Sequence, residues 1–296
     1  MGPTRTALPP LPLRLGFTAV ATGLQALGSH RYRISDPIAN ATFALQPGRR
    51  RTTIRNFRAV LPHLGHREAR RLAARSYREY ARTALDFIYV HKLPRGRVLA
   101  ELRTSGVEAN VIAPQLQGKS GLLVVIHHGS WDVPGAAALA YGVNLVSVMT
   151  EENGPTISEL VIWARAAIGV RVVPASKAPA ALLRQLGRGG WAALVADIPG
   201  DTPSVEVEFL GHRTRFSAAP GIFAARTGVP LVPATSVRRP NGGYLIEVHP
   251  PVPIEPGTDP AEALRRIIPV FEAAVRRWPE QWYPFREDQL LDLDHT

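Results

Sequence analysis

The chain has 296 residues, of which 45% are apolar and none is cysteine, and its formal net charge is +11. This length allows one large domain or two small ones, and we expect one. The lack of cysteine excludes disulfides, cysteine-ligated zinc and thiol nucleophiles, and it favours a reducing, cytosol-facing setting.

The positive charge is concentrated at one end of the chain. Residues 1–103 carry 19 Lys and Arg against 5 Asp and Glu, whereas residues 104–296 carry 16 against 19. A strongly basic surface attracts anionic lipid head groups or nucleic acid, and charge alone does not separate the two. The N-terminal third is therefore predicted to face an anionic partner of one of these kinds.

The leading apolar segment, residues 11–28, is short. Its uncharged stretch from Leu15 to Leu27 has 13 residues, whereas a helix that spans a bilayer needs about 20. We expect a helix that lies at a membrane interface or in the core. A cleaved signal peptide is the alternative, although no clear small-x-small cleavage site follows the segment.

Two amphipathic helices are predicted between residues 49 and 89, with a break at Pro62 and a second start at Arg67. In the second helix one face is apolar and the opposite face is basic. The apolar face holds Leu72, Tyr80, Ala84 and Phe87, and the basic face holds Arg71, Arg75, Arg78 and Arg82. Both a solvated helix surface and an anion-facing surface fit this pattern.

From residue 106 onwards short β-branched runs alternate with helical segments. Strands are predicted at 121–128, 144–150, 170–175, 191–197, 205–211, 229–237 and 243–252, and helices at 133–142, 156–168, 178–187 and 218–227. This alternation is typical of an α/β fold whose central, mostly parallel sheet is flanked by helices. A last helix is predicted to kink at Pro269.

We therefore expect a single domain over residues 1–296. Within it, residues 1–103 form a basic helical region that packs on the sheet and faces the anionic partner, and residues 104–296 form the α/β core. Ligands of such sheets bind beyond the carboxyl ends of the strands, and His127 and Asp197 both stand at predicted strand ends.

The stretch "VVIHHGSWDVPG", residues 124–135, combines an imidazole with a nearby carboxylate. His127 can act as a general base if a partner holds its second nitrogen, and Asp132 can fold back to it through a turn at Gly129 and Ser130. His128 would then point the opposite way, either into packing or into a supporting role behind the site. The alternative is a strand-end histidine that caps a turn.

Three other site types fit poorly. A zinc site needs three protein ligands, and no third ligand follows this pair at a known spacing. The segment 113–121 ends like a phosphate loop, but Ala113 replaces the first glycine. No G-x-S-x-G elbow occurs, which disfavours a serine hydrolase.

The stretch "HHGSWD", with His127 and Asp132 in an H-x4-D arrangement, resembles the late acyltransferases of lipid A biosynthesis and the related phosphatidylinositol mannoside acyltransferases. Three further segments match in order, "RAAIGVRVVP" (165–174), "ADIPGDTPSVEVEFLG" (196–211) running on to "AARTGVPLVP" (224–233), and "RRWPEQWYPF" (276–285). The "RNFRAVLP" stretch also looks like the N-terminal region of this family. The resemblance thus covers nearly the whole chain.

This resemblance implies acyl transfer without a covalent enzyme intermediate. His127, oriented by Asp132, would deprotonate a sugar or inositol hydroxyl that attacks the thioester of an acyl-CoA or acyl carrier protein. Backbone amides from Gly129 through Ser130 to Trp131 would stabilise the oxyanion. No metal and no cofactor are implied beyond the acyl donor.

The resemblance also implies further substrate-binding residues. Arg165 matches an arginine that engages a phosphate-bearing ligand, Asp197 matches an acid near the active site, and Arg226 is a third candidate. Relatives commonly follow the acid with Arg and Asp, whereas this chain has Ile198 and Pro199 and so lacks the arginine and the second acid of that pattern.

The predicted function is transfer of a fatty acyl chain to a hydroxyl of a membrane glycolipid, either a phosphatidylinositol mannoside or a lipid A-type precursor. The predicted partners are the acyl donor, the glycolipid and an anionic membrane surface, with no nucleic acid. The predicted location is the cytoplasmic face of the cytoplasmic (inner) membrane, as a peripheral or monotopic protein. The alternatives are a membrane-associated thioesterase or hydrolase and a basic nucleic-acid-binding protein.

Overall fold

The computed structural model describes residues 8–90, 93, 96–98, 119–149, 154–200, 202–240 and 243–293. The expected boundary between the basic region and the α/β core, at residues 103 and 104, lies outside these residues. The single-domain organisation stays a prediction.

Four helices form the described N-terminal part of the chain: α1 (Leu11–Leu27), α2 (Tyr32–Leu45), α3 (Pro47–Val60) and α4 (His66–Val90). The predicted leading helix is confirmed, and so are the two amphipathic helices with the break at Pro62. Helix α2 was not predicted. Within the described residues, no helix combines the length and apolarity needed to cross a bilayer.

The basic face of α4 is only partly open to solvent. Arg82 forms an ion pair with Asp36 of α2 at 2.6 Å, and Arg78 donates to the Asn40 side chain of α2 at 3.2 Å. Arg71 and Arg75 are exposed. Helix α2 therefore covers about half of the basic face of α4. The sequence had allowed either a solvated surface or an anion-binding surface at this face.

A six-stranded sheet forms the centre of the molecule. Its strands are β1 (Gly121–Val125), β2 (Leu145–Met149), β3 (Arg171–Pro174), β4 (Trp191–Val195), β7 (Leu231–Arg238) and β8 (Tyr244–Val248). They lie side by side in the order β3-β2-β4-β1-β7-β8. All neighbouring pairs are parallel except β7 and β8. This confirms the predicted mostly parallel sheet.

Helices follow the strands and cover the sheet. They are α5 (Asp132–Ala140), α6 (Pro155–Ala167), α7 (Ala178–Leu186), α8 (Ala219–Thr227), α9 (Pro260–Arg265) and α10 (Ile268–Arg277). Strands β5 (Ser204–Phe209) and β6 (His212–Ser217) form a separate antiparallel hairpin. The predicted last helix is two helices that part at Arg266 and Ile267, and Pro269 lies in the first turn of α10, where its missing amide costs nothing.

One apolar core joins the N-terminal helices to the sheet. Phe57 of α3 and Tyr77 of α4 belong to the same buried cluster as Val124 of β1 and Val146 of β2. A second cluster lies on the other face and includes Leu123 and Val133. The basic helical region is thus packed on the α/β sheet, as the sequence predicted.

Candidate active site

His127 and Asp197 meet at the carboxyl edge of the sheet. Strands β1 and β4 are parallel neighbours in which Val125 lies opposite Val195, so the residues two places further on lie side by side. The His127 Nδ1 atom is 2.8 Å from an Asp197 carboxylate oxygen. The His127 backbone amide donates to both oxygens of that carboxylate at 3.0 Å.

This pair combines a buried acid with an accessible ring. The Asp197 side chain is 2% exposed and the His127 side chain is 26% exposed. A buried carboxylate on Nδ1 fixes the imidazole tautomer that carries its proton on Nδ1. The lone pair on Nε2 is then available to take a proton from a substrate in the cavity.

Asp132 does not pair with His127, in contrast to the sequence expectation. Its carboxylate accepts from Arg165 Nε at 2.8 Å, and both side chains are nearly buried. Asp132 is the first residue of α5, where a carboxylate is favoured by the helix dipole. Because β1 and β4 are paired in this register, Asp197 is the acid that lies next to His127. The carboxylate of Asp132 instead binds the guanidinium of Arg165 on α6.

The turn after His127 uses its own amides internally. The Gly129 amide donates to the Gln281 carbonyl at 2.8 Å, and the Ser130 amide donates to the Ser236 carbonyl at 3.0 Å. Gly129 has φ +62°, and a Cβ there would lie 1.7 Å from the Ser236 carbonyl oxygen. These two amides are therefore not free to stabilise an oxyanion, which corrects the expectation for Gly129 and Ser130.

Trp131 differs from the two residues before it, because its side chain lines the cavity. Its ring meets the His127 ring edge to face, with centroids 4.9 Å apart. The Ser130 side chain is buried, and its hydroxyl oxygen accepts from the Val133 amide at 3.4 Å. Of the predicted run Gly129 to Trp131, only Trp131 therefore reaches the site through its side chain.

His128 faces the other side of the sheet edge. It is 3% exposed, and its Nε2 lies 3.0 Å from the Trp278 carbonyl. Burial lowers the pKa of His128 to about 4. His128 is thus a neutral packing residue, which is one of the two roles that the sequence allowed, and its ring donates to Trp278.

A cavity of about 850 Å³ surrounds the exposed edge of His127. Its walls come from the carboxyl ends of the strands and from α1, α4, α5, α6, α7 and α8, and they are mostly apolar. Representative wall residues are Phe17, Phe87, Leu123, Leu145, Ala193 and Ile246. Such a volume and lining are typical of a pocket for an apolar ligand.

Few charged groups of the described residues face the cavity. Besides His127, they are Asp132, Arg165 and Arg226. Arg165 stacks over the Phe87 ring at 5.8 Å, whereas Arg226 is exposed in the last turn of α8. Ile198 and Pro199 also line the cavity, so the place of the relatives' Arg and Asp is apolar here.

Two sets of residues near the site were not singled out from the sequence. Tyr283 and Thr83 contact the Gly129 carbonyl, and Arg238 forms ion pairs with Glu79 and Asp86 of α4 at 2.6 Å each. Burial raises the pKa of Asp86, but Arg238 and Arg31 outweigh burial and hold that pKa below its ordinary value. In the sequence, the one sign of this network was Asp86, an acidic residue within the apolar face of the basic helix α4.

Among the residues that the structure describes, no three His, Cys, Asp or Glu side chains come together as a metal site would require. The described polar groups at the cavity are instead the His127 imidazole, the Asp132 carboxylate, and the guanidinium groups of Arg165 and Arg226.

Three comparisons place these features among known proteins. The family described as bacterial lipid A biosynthesis acyltransferase matches residues 15–288. The phosphatidylinositol mannoside acyltransferase of Mycolicibacterium smegmatis (strain ATCC 700084 / mc(2)155) is 23% identical over 180 residues, which are 60% of this chain and 59% of that protein. The match thus spans less than two thirds of that relative.

A solved structure also resembles this one. The crystal structure of the 1-acyl-sn-glycerophosphate (LPA) acyltransferase PlsC from Thermotoga maritima aligns with a TM-score of 0.40 and 17% identity, over 85% of this chain and 99% of that one.

Proposed function

Because the chain belongs to the family of bacterial lipid A biosynthesis acyltransferases, we propose that it transfers a fatty acyl chain from a thioester donor to a hydroxyl of a membrane glycolipid. The donor is an acyl-CoA or an acyl carrier protein, and no further cofactor takes part. The acceptor is a phosphatidylinositol mannoside or a lipid A-type precursor. The observation that carries this proposal is the His127 and Asp197 pair at the wall of a large apolar cavity.

In the proposed reaction, His127 Nε2 takes the proton of the acceptor hydroxyl as its oxygen attacks the thioester carbonyl carbon. Asp197 stabilises the imidazolium that forms, since its buried carboxylate lies 2.8 Å from Nδ1. The tetrahedral intermediate collapses, the carbon–sulfur bond breaks, and the imidazolium returns its proton to the leaving thiolate. The products are the acylated glycolipid and the free thiol of the donor.

The cavity suits one long apolar chain beside the reacting groups. Leu123, Ala193 and Ile246 line it under one face of the sheet, and His127 stands at its edge. Binding in this space removes the acyl chain from water, and this stabilises the bound state by about 0.8 kcal/mol for each buried methylene group. The same apolar walls limit water near the thioester, and this favours transfer over hydrolysis.

Arg165 and Asp132 form the polar wall of the site. Asp132 holds Arg165 through Nε, and the remaining guanidinium donors suit a phosphate of the acceptor. In this proposal Asp132 acts through Arg165 and so belongs to acceptor binding. Arg226 is the single charged residue of α8, and we assign it to the phosphate on the pantetheine arm of the acyl donor.

The first two helices carry an unusual number of exposed apolar side chains. These are Leu11, Leu13, Leu15, Val20 and Leu27 of α1, and Ile34, Ile38 and Leu45 of α2. Phe17 of α1 also lines the cavity, so this surface leads to the cavity wall. Together with the basic charge of the N-terminal third, it suits peripheral binding to an anionic bilayer on its cytoplasmic face.

The test is product analysis with purified protein, a radiolabelled acyl-CoA or acyl carrier protein, and vesicles with or without each glycolipid. We expect label in the glycolipid and little free fatty acid. Free fatty acid as the main product, formed equally without acceptor, would instead identify a hydrolase. Mass spectrometry of polar lipids from cells with and without the protein then identifies the natural acceptor.

A further inference from the structure

Two buried hydroxyl groups converge on the carbonyl oxygen of Gly129. The Tyr283 hydroxyl donates to it at 3.0 Å, and the Thr83 hydroxyl donates to it at 3.3 Å. The two hydroxyls are also 3.2 Å apart. The Gly129 carbonyl therefore joins three segments that are distant in the sequence. These are helix α4, the turn after β1, and the C-terminal segment.

The same turn is held at its other polar groups. The Gly129 amide donates to Gln281, the Ser130 amide donates to Ser236, and His128 forms an isolated β-bridge with Trp282. The turn cannot shift without breaking one of these bonds. The close approach of the Ser236 carbonyl also requires glycine at position 129, because a Cβ there would overlap that carbonyl.

Tyr283 is well suited to hold this carbonyl but not to touch a substrate. It is 4% exposed, and it is not among the residues that line the cavity. Burial raises the pKa of Tyr283 far above its ordinary value, so the hydroxyl stays protonated and remains a donor. Its ring packs edge to face on Trp131, with centroids 6.2 Å apart, and Trp131 packs on His127.

We propose that Tyr283 is a positioning residue for the acyl transfer described above. Its hydroxyl fixes the Gly129 carbonyl, and its ring supports Trp131, so that the Nε2 atom of His127 stays aimed into the cavity. This proposal rests on the proposed function for its kinetic consequence, but the geometry of the His127 ring can be measured without any reaction.

The test compares Tyr283→Phe with Ser76→Ala. Each substitution removes one buried hydroxyl between α4 and the C-terminal segment, since Ser76 Oγ donates to the Trp282 carbonyl at 2.5 Å. Ser76 forms no described bond with the turn itself, but its partner Trp282 pairs with His128. Ser76→Ala therefore controls for loss of stability and for a loosened C-terminal segment. Thermal unfolding of both variants is measured beside the wild type.

We expect Tyr283→Phe to lower kcat by about 10- to 100-fold, the range for displacement of a catalytic group by up to about 1 Å. The KM values for donor and acceptor should stay within about twofold, because Tyr283 does not line the cavity. Ser76→Ala should lower the unfolding temperature by about as much as Tyr283→Phe does, but it should keep kcat within about twofold of the wild type. An equal loss of kcat in both variants would reduce Tyr283 to a structural role and overturn the proposal.

A second measurement needs no turnover. In long-range ¹H–¹⁵N spectra, the His127 ring of the wild type and of Ser76→Ala should show one sharp tautomer protonated on Nδ1. In Tyr283→Phe the ring signals should broaden or shift. Unchanged ring signals in folded Tyr283→Phe would overturn the proposal even if the protein proves to have no acyltransferase activity.

If Tyr283→Phe does not fold, Thr83→Val replaces it, because this substitution removes the second hydroxyl from the same carbonyl. Tyr283 still donates to the Gly129 carbonyl in this variant, so wild-type His127 ring signals support the proposal. Broadened signals would assign the positioning to Thr83 and overturn it.

Discussion

Substitution of Asp197 by Asn tests which acid orients the candidate base. An asparagine keeps the shape of the side chain but offers one oxygen and one NH₂ group. Asp197 accepts from the His127 amide with both oxygens and from Nδ1 with one of them. In one orientation the NH₂ group faces the His127 amide hydrogen, and in the other it faces Nδ1.

Both orientations harm the reaction. An NH₂ group on Nδ1 favours the tautomer protonated on Nε2, which cannot accept a proton from the acceptor. Loss of a buried charged acceptor costs about 1.5–3 kcal/mol, or about 10- to 150-fold in rate. With the wrong tautomer added, we expect kcat to fall by about 10³- to 10⁴-fold.

The assay is initial-rate acyl transfer at saturating donor and acceptor, with the tautomer of His127 followed by ¹⁵N NMR. Asp132→Asn is the matched control, since Asp132 binds Arg165. It should raise the acceptor KM and leave the tautomer unchanged. If Asp132→Asn changes the tautomer while Asp197→Asn does not, the assignment of Asp197 is wrong and the sequence-based pairing is right.

Three other predictions follow from the site and its surroundings. Arg226→Ala should raise the KM for a phosphate-bearing donor by about tenfold and should leave the KM for an acyl-pantetheine without phosphate unchanged. The control Arg188→Ala, at an exposed arginine, should change neither KM. An equal rise in both KM values for Arg226→Ala would contradict the assignment of Arg226 to a phosphate. Because burial lowers the pKa of His128 to about 4 from the value of 6.5 that it regains on unfolding, its neutral form contributes its full stability above about pH 6.5, and this is lost as the pH falls towards 4. Urea denaturation should show a shallower acid decline for His128→Gln, and an unchanged decline would refute this. Leu15→Glu, at a position 60% exposed, should weaken co-sedimentation with anionic vesicles, whereas Ala180→Glu on α7 should not; equal binding of both variants would exclude α1 from the interface.

Local patterns in the sequence predicted most elements of the fold. The continuous apolar runs that form β1 and β4 are typical of buried parallel strands. The helix breaks at Pro62 and near Pro269 follow from the missing proline amide. Helix α2 was missed because Pro37, Asp36 and Asn40 interrupt its apolar pattern. Its formation depends on packing of Phe43 against Tyr77 of α4, with ring centroids 5.2 Å apart.

The partner of His127 was the part of the site that the sequence could not supply. His127 and Asp197 were both placed at strand ends, but local distance favoured Asp132, five residues away. The contact with Asp197 depends on β4 lying beside β1, and the order of strands in a sheet is a property of the whole chain. The same holds for Tyr283, which reaches Gly129 across 154 residues.

The most direct measurement of the central claim is the rate of acyl transfer by His127→Gln beside His128→Gln, with folding verified by circular dichroism. The account predicts that His127→Gln loses about 10²- to 10⁴-fold in kcat, the usual contribution of a general base, and that His128→Gln stays within about tenfold of the wild type. Transfer at a near-normal rate by folded His127→Gln would contradict the account.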